Sequence, residues 1–179
     1  MKFLPARAGS LVAAAVLASL LAACSPEYDW RELSVADGRA TAAFPAKVQT
    51  ESRPVHLGGV QLPFALTFAA VGKGLFAVGY ASLPEPVRGN PGEAARLAGA
   101  LTRAFYANLG LQPPEQLPAP GEEITLHAEL DGEPLRLVAR VIVLDGAVME
   151  AVAMGPARSL PVERAQEFVR SLRPVRSRP

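Results

Sequence analysis

A single acidic residue interrupts one of the most apolar stretches of this sequence. Glu150 lies in the middle of 147–154 (AVMEAVAM), and a two-residue turn at Asp145-Gly146 places it opposite Val141 on the apolar face of a hairpin. Burial raises the pKa of a carboxyl group, so a buried Glu150 could carry a proton or bind a cationic group. Two other interpretations stay open. The strand is a sheet edge, where inward-pointing charges are common, or Glu150 pairs with an arginine from a loop or the tail.

The two histidines, His56 and His127, are the other candidates for chemistry. Together with Glu129 they could supply metal ligands, but their spacing matches no recognised ligand motif. His56 lies in a polar segment that we expect to be a loop, and His127 falls with Arg140 on the half-polar face of a predicted hairpin. The sequence favours solvated histidines and predicts no metal site. A site combining Glu150, His127 and Arg140 remains as the enzyme hypothesis.

The motif of a serine nucleophile and the glycine-rich motifs of nucleotide binding do not occur in the sequence. No serine lies in a Gly-x-Ser-x-Gly elbow. The glycines at 58–59 and 72–74 match neither the dinucleotide-binding fingerprint nor the P-loop, and they indicate turns. The sequence therefore predicts no catalytic residue and no cofactor.

The N-terminal residues are typical of a targeting segment. Two basic residues precede the uncharged run 11–23 (LVAAAVLASLLAA), which is shorter than the roughly 20 residues that a membrane-spanning helix needs. The run ends in Leu21-Ala22-Ala23-Cys24, which resembles the bacterial lipobox. The alternative is an ordinary signal peptide followed by a chance cysteine.

The lipobox resemblance implies that residues 1–23 are removed and that Cys24 is lipidated. Its thiol would take a diacylglycerol and its new amine an acyl chain, so the membrane becomes a partner. Each buried CH₂ contributes about 0.8 kcal/mol, and two or three chains anchor a protein stably. Ser25 replaces the aspartate that signals inner-membrane retention. We therefore expect an exported protein on the inner leaflet of the outer membrane, facing the periplasm.

The composition of the mature chain excludes several classes of protein. Removal of residues 1–23 from 179 leaves a length typical of one domain. Without Lys2 and Arg7, the 18 basic residues fall to 16 against 17 acidic ones, so no basic surface indicates nucleic-acid binding. Cys24 is the only cysteine, which excludes an intramolecular disulfide and a cysteine metal site.

Three Asp-Gly pairs, at 37–38, 131–132 and 145–146, predict tight β-hairpins because both residue types tolerate positive φ. With two-residue loops at the last two pairs, 124–154 forms a three-strand meander with an apolar face and a half-polar face. The register pairs Ile124 with Ala139, Leu126 with Leu137, Val143 with Val148, Glu123 with Arg140, and His127 with Arg136.

A long hairpin and two helices complete the predicted elements. The hairpin comprises 61–71 and 75–83, with 72–74 as its turn. We expect its small side chains to share one face beneath a helix: Ala65, Ala69, Ala77, Gly79 and Ala81. One helix begins after Asn90 as N-cap and stops at Gly110. The other begins near 159–161 and ends before Pro174.

The order β-β-β-β-α-β-β-β-α predicts an α+β fold with an antiparallel sheet of about six or seven strands and helices packed on it. We expect a tether at 24–29, one domain at 30–173, and a disordered basic tail at 174–179. Close to the tether, Tyr28 and Trp30 either contact lipid headgroups or pack at the start of the first strand.

This layout resembles the PsbP-like family of α/β/α sandwiches, and small envelope lipoproteins of the DcrB-like type. The matching features are a short hairpin ending in Phe44-Pro45, a long hairpin, a helix after a Pro-rich loop, the meander at 124–154, and a closing helix with Phe168 and Ser171-Leu172. The resemblance implies a protein-binding role, since known members of the fold bind proteins. It transfers no site residue, and fold alone does not define function.

Three functions therefore remain, in this order. The first is a membrane-anchored, non-catalytic module that binds or assembles an envelope protein partner. The second is a structural lipoprotein, and the third is a small-ligand binder or envelope enzyme. The first predicts an exposed apolar patch or an open edge strand, whereas the last predicts a concave pocket with convergent polar groups. A half-polar sheet face that is covered by a helix would offer no site.

Overall fold

A computed structural model describes residues 27–144 and 146–175. The predicted signal peptide, Cys24 and residues 176–179 lie outside the described residues. The elements, in chain order, are β1 Arg31–Val35, β2 Ala40–Phe44, β3 Gln49–Leu57, β4 Val60–Val71, β5 Gly74–Ser82, α1 Glu85–Arg88, α2 Pro91–Asn108, β6 Glu123–Leu130, β7 Glu133–Leu144, β8 Ala147–Pro156, α3 Val162–Ser171 and β9 Arg173–Pro174.

The strands form two antiparallel sheets, which confirms the α+β prediction. The main sheet has six strands in the order β3-β4-β5-β8-β7-β6, and the small sheet has the order β1-β2-β9. The first hairpin thus lies in a sheet of its own instead of extending the main sheet. We call the two faces of the main sheet the α2 face and the α3 face, after the helix that packs on each.

The predicted register of the three-strand meander is confirmed throughout. Leu130 pairs with Glu133 across a two-residue turn, and Asp131 and Gly132 both adopt positive φ, 52° and 76°. Leu126 faces Leu137 as expected. Short loops that can adopt only a few conformations determine this pairing locally.

Helix α2 begins and ends where its sequence predicts. The Asn90 side chain accepts hydrogen bonds from the backbone N–H groups of Gly92 and Glu93, and Pro91 occupies the first turn, where no donor is needed. Gly110 follows the helix with a φ of 67°. The apolar stripe of the helix packs on the main sheet and buries Ala94, Leu97, Ala98, Leu101 and Phe105.

Three segments have a secondary structure different from the one expected. The polar segment 53–56, expected to be a loop, lies in edge strand β3, whose polar sequence and Pro54 suit an edge but give no apolar alternation. Residues 85–88 of the Pro-rich loop form the short helix α1. At the C-terminus, Pro174 belongs to β9 and pairs with Ala40, although it was expected to begin a disordered tail.

The α3 face is closed by aromatic packing. Phe168 of α3 contacts Phe44 of the small sheet and Phe76 of the main sheet, with ring centroids 5.3 and 5.4 Å apart. Tyr28 and Trp30 also pack against Phe76, at 6.2 and 6.3 Å. Of the two interpretations of these N-terminal aromatic residues, the structure supports packing on the domain.

Candidate functional site

The half-polar face predicted from the sequence is the α3 face, and α3 covers part of it. Its charged groups are used to hold neighbouring segments in place. The Arg140 Nε donates to the backbone oxygen of Gly121 at 2.8 Å. The Glu123 carboxylate accepts from Gln166 at 2.7 Å and from Arg170 at 2.8 Å, both on α3.

The two histidines do not form a site. His56 lies on β3 and His127 on β6, which are the opposite edges of the main sheet. Five strand spacings separate them, which is about 24 Å. Among residues 27–144 and 146–175, no cluster of His, Cys, Asp and Glu side chains could hold a metal ion. The geometry therefore rules out the metal hypothesis that joined His56, His127 and Glu129.

Glu150 lies at the centre of the main sheet rather than at an edge. Its strand β8 pairs with β5 on one side and β7 on the other, and Glu150 faces Gly79 and Val141. The edge interpretation is therefore wrong, and the predicted pairing with Val141 is confirmed. Glu150 points to the α2 face, whereas His127 and Arg140 belong to the α3 face, so the sheet separates the three residues of the enzyme hypothesis.

The space around Glu150 depends on the glycine beside it. A Cβ atom at Gly79 would lie 2.8 Å from the Glu150 Cγ and would also collide with the Phe64 ring. Burial raises the pKa of the half-buried Glu150 carboxyl to about 7. None of the described residues gives this carboxyl a hydrogen bond or an ion pair, so it has no arginine partner from a loop or from 173–175.

Part of the α2 face is left uncovered by α2. Several apolar side chains there are half-exposed or exposed, and six of them lie towards the β4–β5 and β6–β7 turns, where Leu130 reaches 62% exposure. We call these residues the open strip: Phe68, Leu75, Leu130, Leu135, Val152 and Met154. Their positions alternate along the strands, so all six project from one face of the sheet.

The outer end of the open strip is a shallow depression of about 270 Å³. Leu75, Leu130, Leu135 and Met154 line it, and polar side chains stand at its rim. There Glu133 pairs with Lys73 at 3.9 Å and with Arg158 at 2.6 Å. An apolar centre with a polar rim is the usual anatomy of a protein-binding surface.

Three other depressions in the described part of the chain are less apolar, and the one of about 380 Å³ lies between the start of α2 and the end of β7. One of about 300 Å³ lies beside α2 and involves Arg96, Arg103 and Thr102. Another, of about 390 Å³, lies on the β3–β4 edge and is lined by Arg53, Gln61 and two prolines among others. The open strip is therefore the better candidate for hydrophobic docking.

Comparisons with known proteins assign this chain to no family. No protein-family model matches the chain, and no curated protein does. A crystal structure of a protein from Bacteroides thetaiotaomicron matches 82% of this chain with a TM-score of 0.45 and 10% sequence identity. The chain spans about half of that protein's length, 48%. None of the helices in the described residues is long and apolar enough to cross a membrane.

Proposed function

We propose that this protein is a membrane-anchored envelope lipoprotein whose domain is a non-catalytic module that binds another protein. The observation that carries the proposal is the open strip on the α2 face. Half-exposed apolar side chains on a rigid sheet are costly in water, and a contiguous group of them is typical of an interaction surface. The strands hold the strip in one shape, so little ordering is needed on binding.

The chemistry of the strip favours binding over catalysis. Its six residues carry no nucleophile, acid or base, and the ionisable side chains at its rim are paired. A depression of about 270 Å³ lies below the size typical of small-molecule pockets, roughly 300–1,000 Å³. Such a depression suits one or two apolar side chains of a protein partner. A protein partner is therefore better supported than a bound small molecule.

The anchor supports the same proposal. Residues 21–24 resemble the lipobox, and Tyr28 is the fourth residue after Cys24, a span of at most ~14 Å. Tyr28 packs on Phe76 and lies under the Arg164 guanidinium, so the domain holds the end of the tether. The proposed lipid would keep the domain beside the membrane, on the inner leaflet of the outer membrane facing the periplasm.

The anchor is tested by Cys24→Ala. We expect the variant to lose the mass of the acyl chains and to leave the membrane fraction for the soluble fraction. Intact-protein mass spectrometry and fractionation measure both. Acylation that persists in the variant would refute the proposed lipid anchor.

The binding surface is tested by photo-cross-linking of the full-length protein in its native cells. Benzoylphenylalanine replaces Leu130 in the open strip in one strain and Val175 in another. Val175 is the matched control because it is also an exposed large apolar residue, 49% against 62%, but lies after β9. We expect a discrete adduct from position 130 and none of the same mass from position 175. Equal adducts from both positions, or none from position 130, would count against a protein-binding strip.

A further inference from the structure

Glu150 lies in line with the residues of the open strip. Along β8, Glu150, Val152 and Met154 project from the same face, because side chains alternate with a period of two. Glu150 is four residues from Met154, about 13 Å along the strand, and Met154 lines the outer depression. Glu150 thus lies at the inner end of the open strip, next to Val152, and the depression lies at the outer end.

The charges at the two ends of the strip differ in how they are satisfied. At the outer end, Glu133 has two cationic partners, Lys73 and Arg158. At the inner end, the Glu150 carboxyl receives neither a hydrogen bond nor an ion pair from the described residues. Val141, Phe64 and Val152 are among the side chains beside it, and none of the three can donate a hydrogen bond.

An unpartnered carboxyl restricts what can cover it. An apolar partner would remove its remaining water and leave the carboxylate unsatisfied, and an acidic partner would add repulsion. A lysine or arginine side chain would instead supply donors and the opposite charge, which makes a strong charge-assisted hydrogen bond. The charge of the site therefore selects its partner.

We propose that the open strip binds an apolar segment of a partner protein that carries one lysine or arginine, and that this cation pairs with Glu150. The inference rests on the proposed function and names the chemistry of its partner. Apolar side chains of the segment fill the depression at Leu75 and Met154, while the cation reaches the inner end. The partner is a protein because the strip is a shallow, open sheet surface rather than an enclosed cavity.

The test uses the photo-cross-linker at position 130 in the full-length protein, in three backgrounds. These are the native sequence, Glu150→Gln, which keeps the size of the side chain but removes its charge, and the matched control Glu163→Gln. Glu163 is an exposed acid on α3, on the other side of the sheet. Far-ultraviolet circular dichroism checks that all three proteins fold, and mass spectrometry identifies the partner residues in the adduct.

We expect Glu150→Gln to lower the adduct yield by about ten-fold or more, since loss of a partly buried ion pair costs that much affinity. Glu163→Gln should leave the yield unchanged, and the cross-linked segment should contain a lysine or arginine. Reversing the partner's cation to glutamate should abolish the adduct, and combining that change with Glu150→Lys should restore it.

An adduct that survives Glu150→Gln, or a segment without a cation, would overturn this inference but leave the binding module intact. A phospholipid adduct at position 130, or none, would overturn both.

Discussion

On the α3 face of the main sheet, Arg140, Arg136 and Glu123 each bond to a neighbouring segment, and α3 with the small sheet covers them. On the α2 face, Glu150 has no such bond to any residue of 27–144 or 146–175, and helix α2 leaves part of the surface open. Both faces carry ionisable groups among apolar ones, so composition does not separate them. The comparison teaches that a polar residue on a closed face supports the fold, whereas one beside an open apolar surface can remain unbonded among the described residues.

The two faces should differ most in how much stability is lost when an apolar side chain is truncated. Phe168→Ala removes a fully buried ring from the α3 face, and we expect it to lower the free energy of unfolding by about 3–5 kcal/mol. Leu75→Ala in the half-exposed open strip should cost about 1 kcal/mol, because much of that side chain already contacts water. Urea unfolding measures both. Equal losses would mean that the strip is closed in solution.

Glu150→Gln should stabilise the protein at alkaline pH. The fold raises the pKa of Glu150 from 4.5 to about 7, so between these values the folded state holds a proton that the unfolded chain has released. Stability therefore falls as the pH rises through this window, by at most about 3 kcal/mol. Relative to the native sequence, the variant should gain nothing near pH 4 and about 2–3 kcal/mol near pH 8. A gain that does not change with pH would contradict the assignment.

Gly79→Ala should destabilise the α2 face next to Glu150. The new methyl group would overlap the Phe64 ring and the Glu150 side chain, and such overpacking costs about 1–3 kcal/mol. Gly89→Ala is the matched control, because nothing lies within 4 Å of a Cβ there. Thermal unfolding of the two variants compares them. A Gly79→Ala protein as stable as the control would show that this part of the face is loosely packed.

The smallest changes in stability are expected for substitutions of the polar residues on the α3 face. Arg140→Met removes the hydrogen bond to Gly121, and we expect a loss of about 1–2 kcal/mol. His127→Ala should change stability by less than about 0.5 kcal/mol, because this exposed side chain has no bond to the described residues. Chemical denaturation of both variants at one pH measures the two changes in stability. A larger effect at His127 would reveal a contact that the structure does not contain.

The long hairpin shows how an error of one residue in the length of a turn changes a prediction made from sequence. A three-residue turn at 72–74 would have placed the small residues of β4 and β5 on one face. The structure instead pairs Val71 with Gly74 across a two-residue turn. A shift of one residue moves every side chain of a strand to the other face. Ala77 and Gly79 therefore face α2, while Ala65 lies on the α3 face.

Edge strand β3 shows a second limit of prediction from sequence. β3 has polar residues on both faces, so no alternation distinguished it from a loop. Only its backbone pairing with β4 defines it as a strand, from Gln49 with Phe68 to Leu57 with Val60. The open strip had no sequence signal either, because its residues resemble those of any buried strand. Whether a helix covers them depends on where α2 lies.

The sequence by itself determined what short-range interactions control. The Asp-Gly turns set the register of β6, β7 and β8, which placed Glu150 opposite Val141, and the Asn90 cap set the start of α2. Only the tertiary structure decided that β8 is a central strand and that Glu150 lies beside an open surface. The reason is that β5 and β8 pair across about 70 residues of chain, Gly79 with Glu150, and no local pattern encodes a contact of that separation.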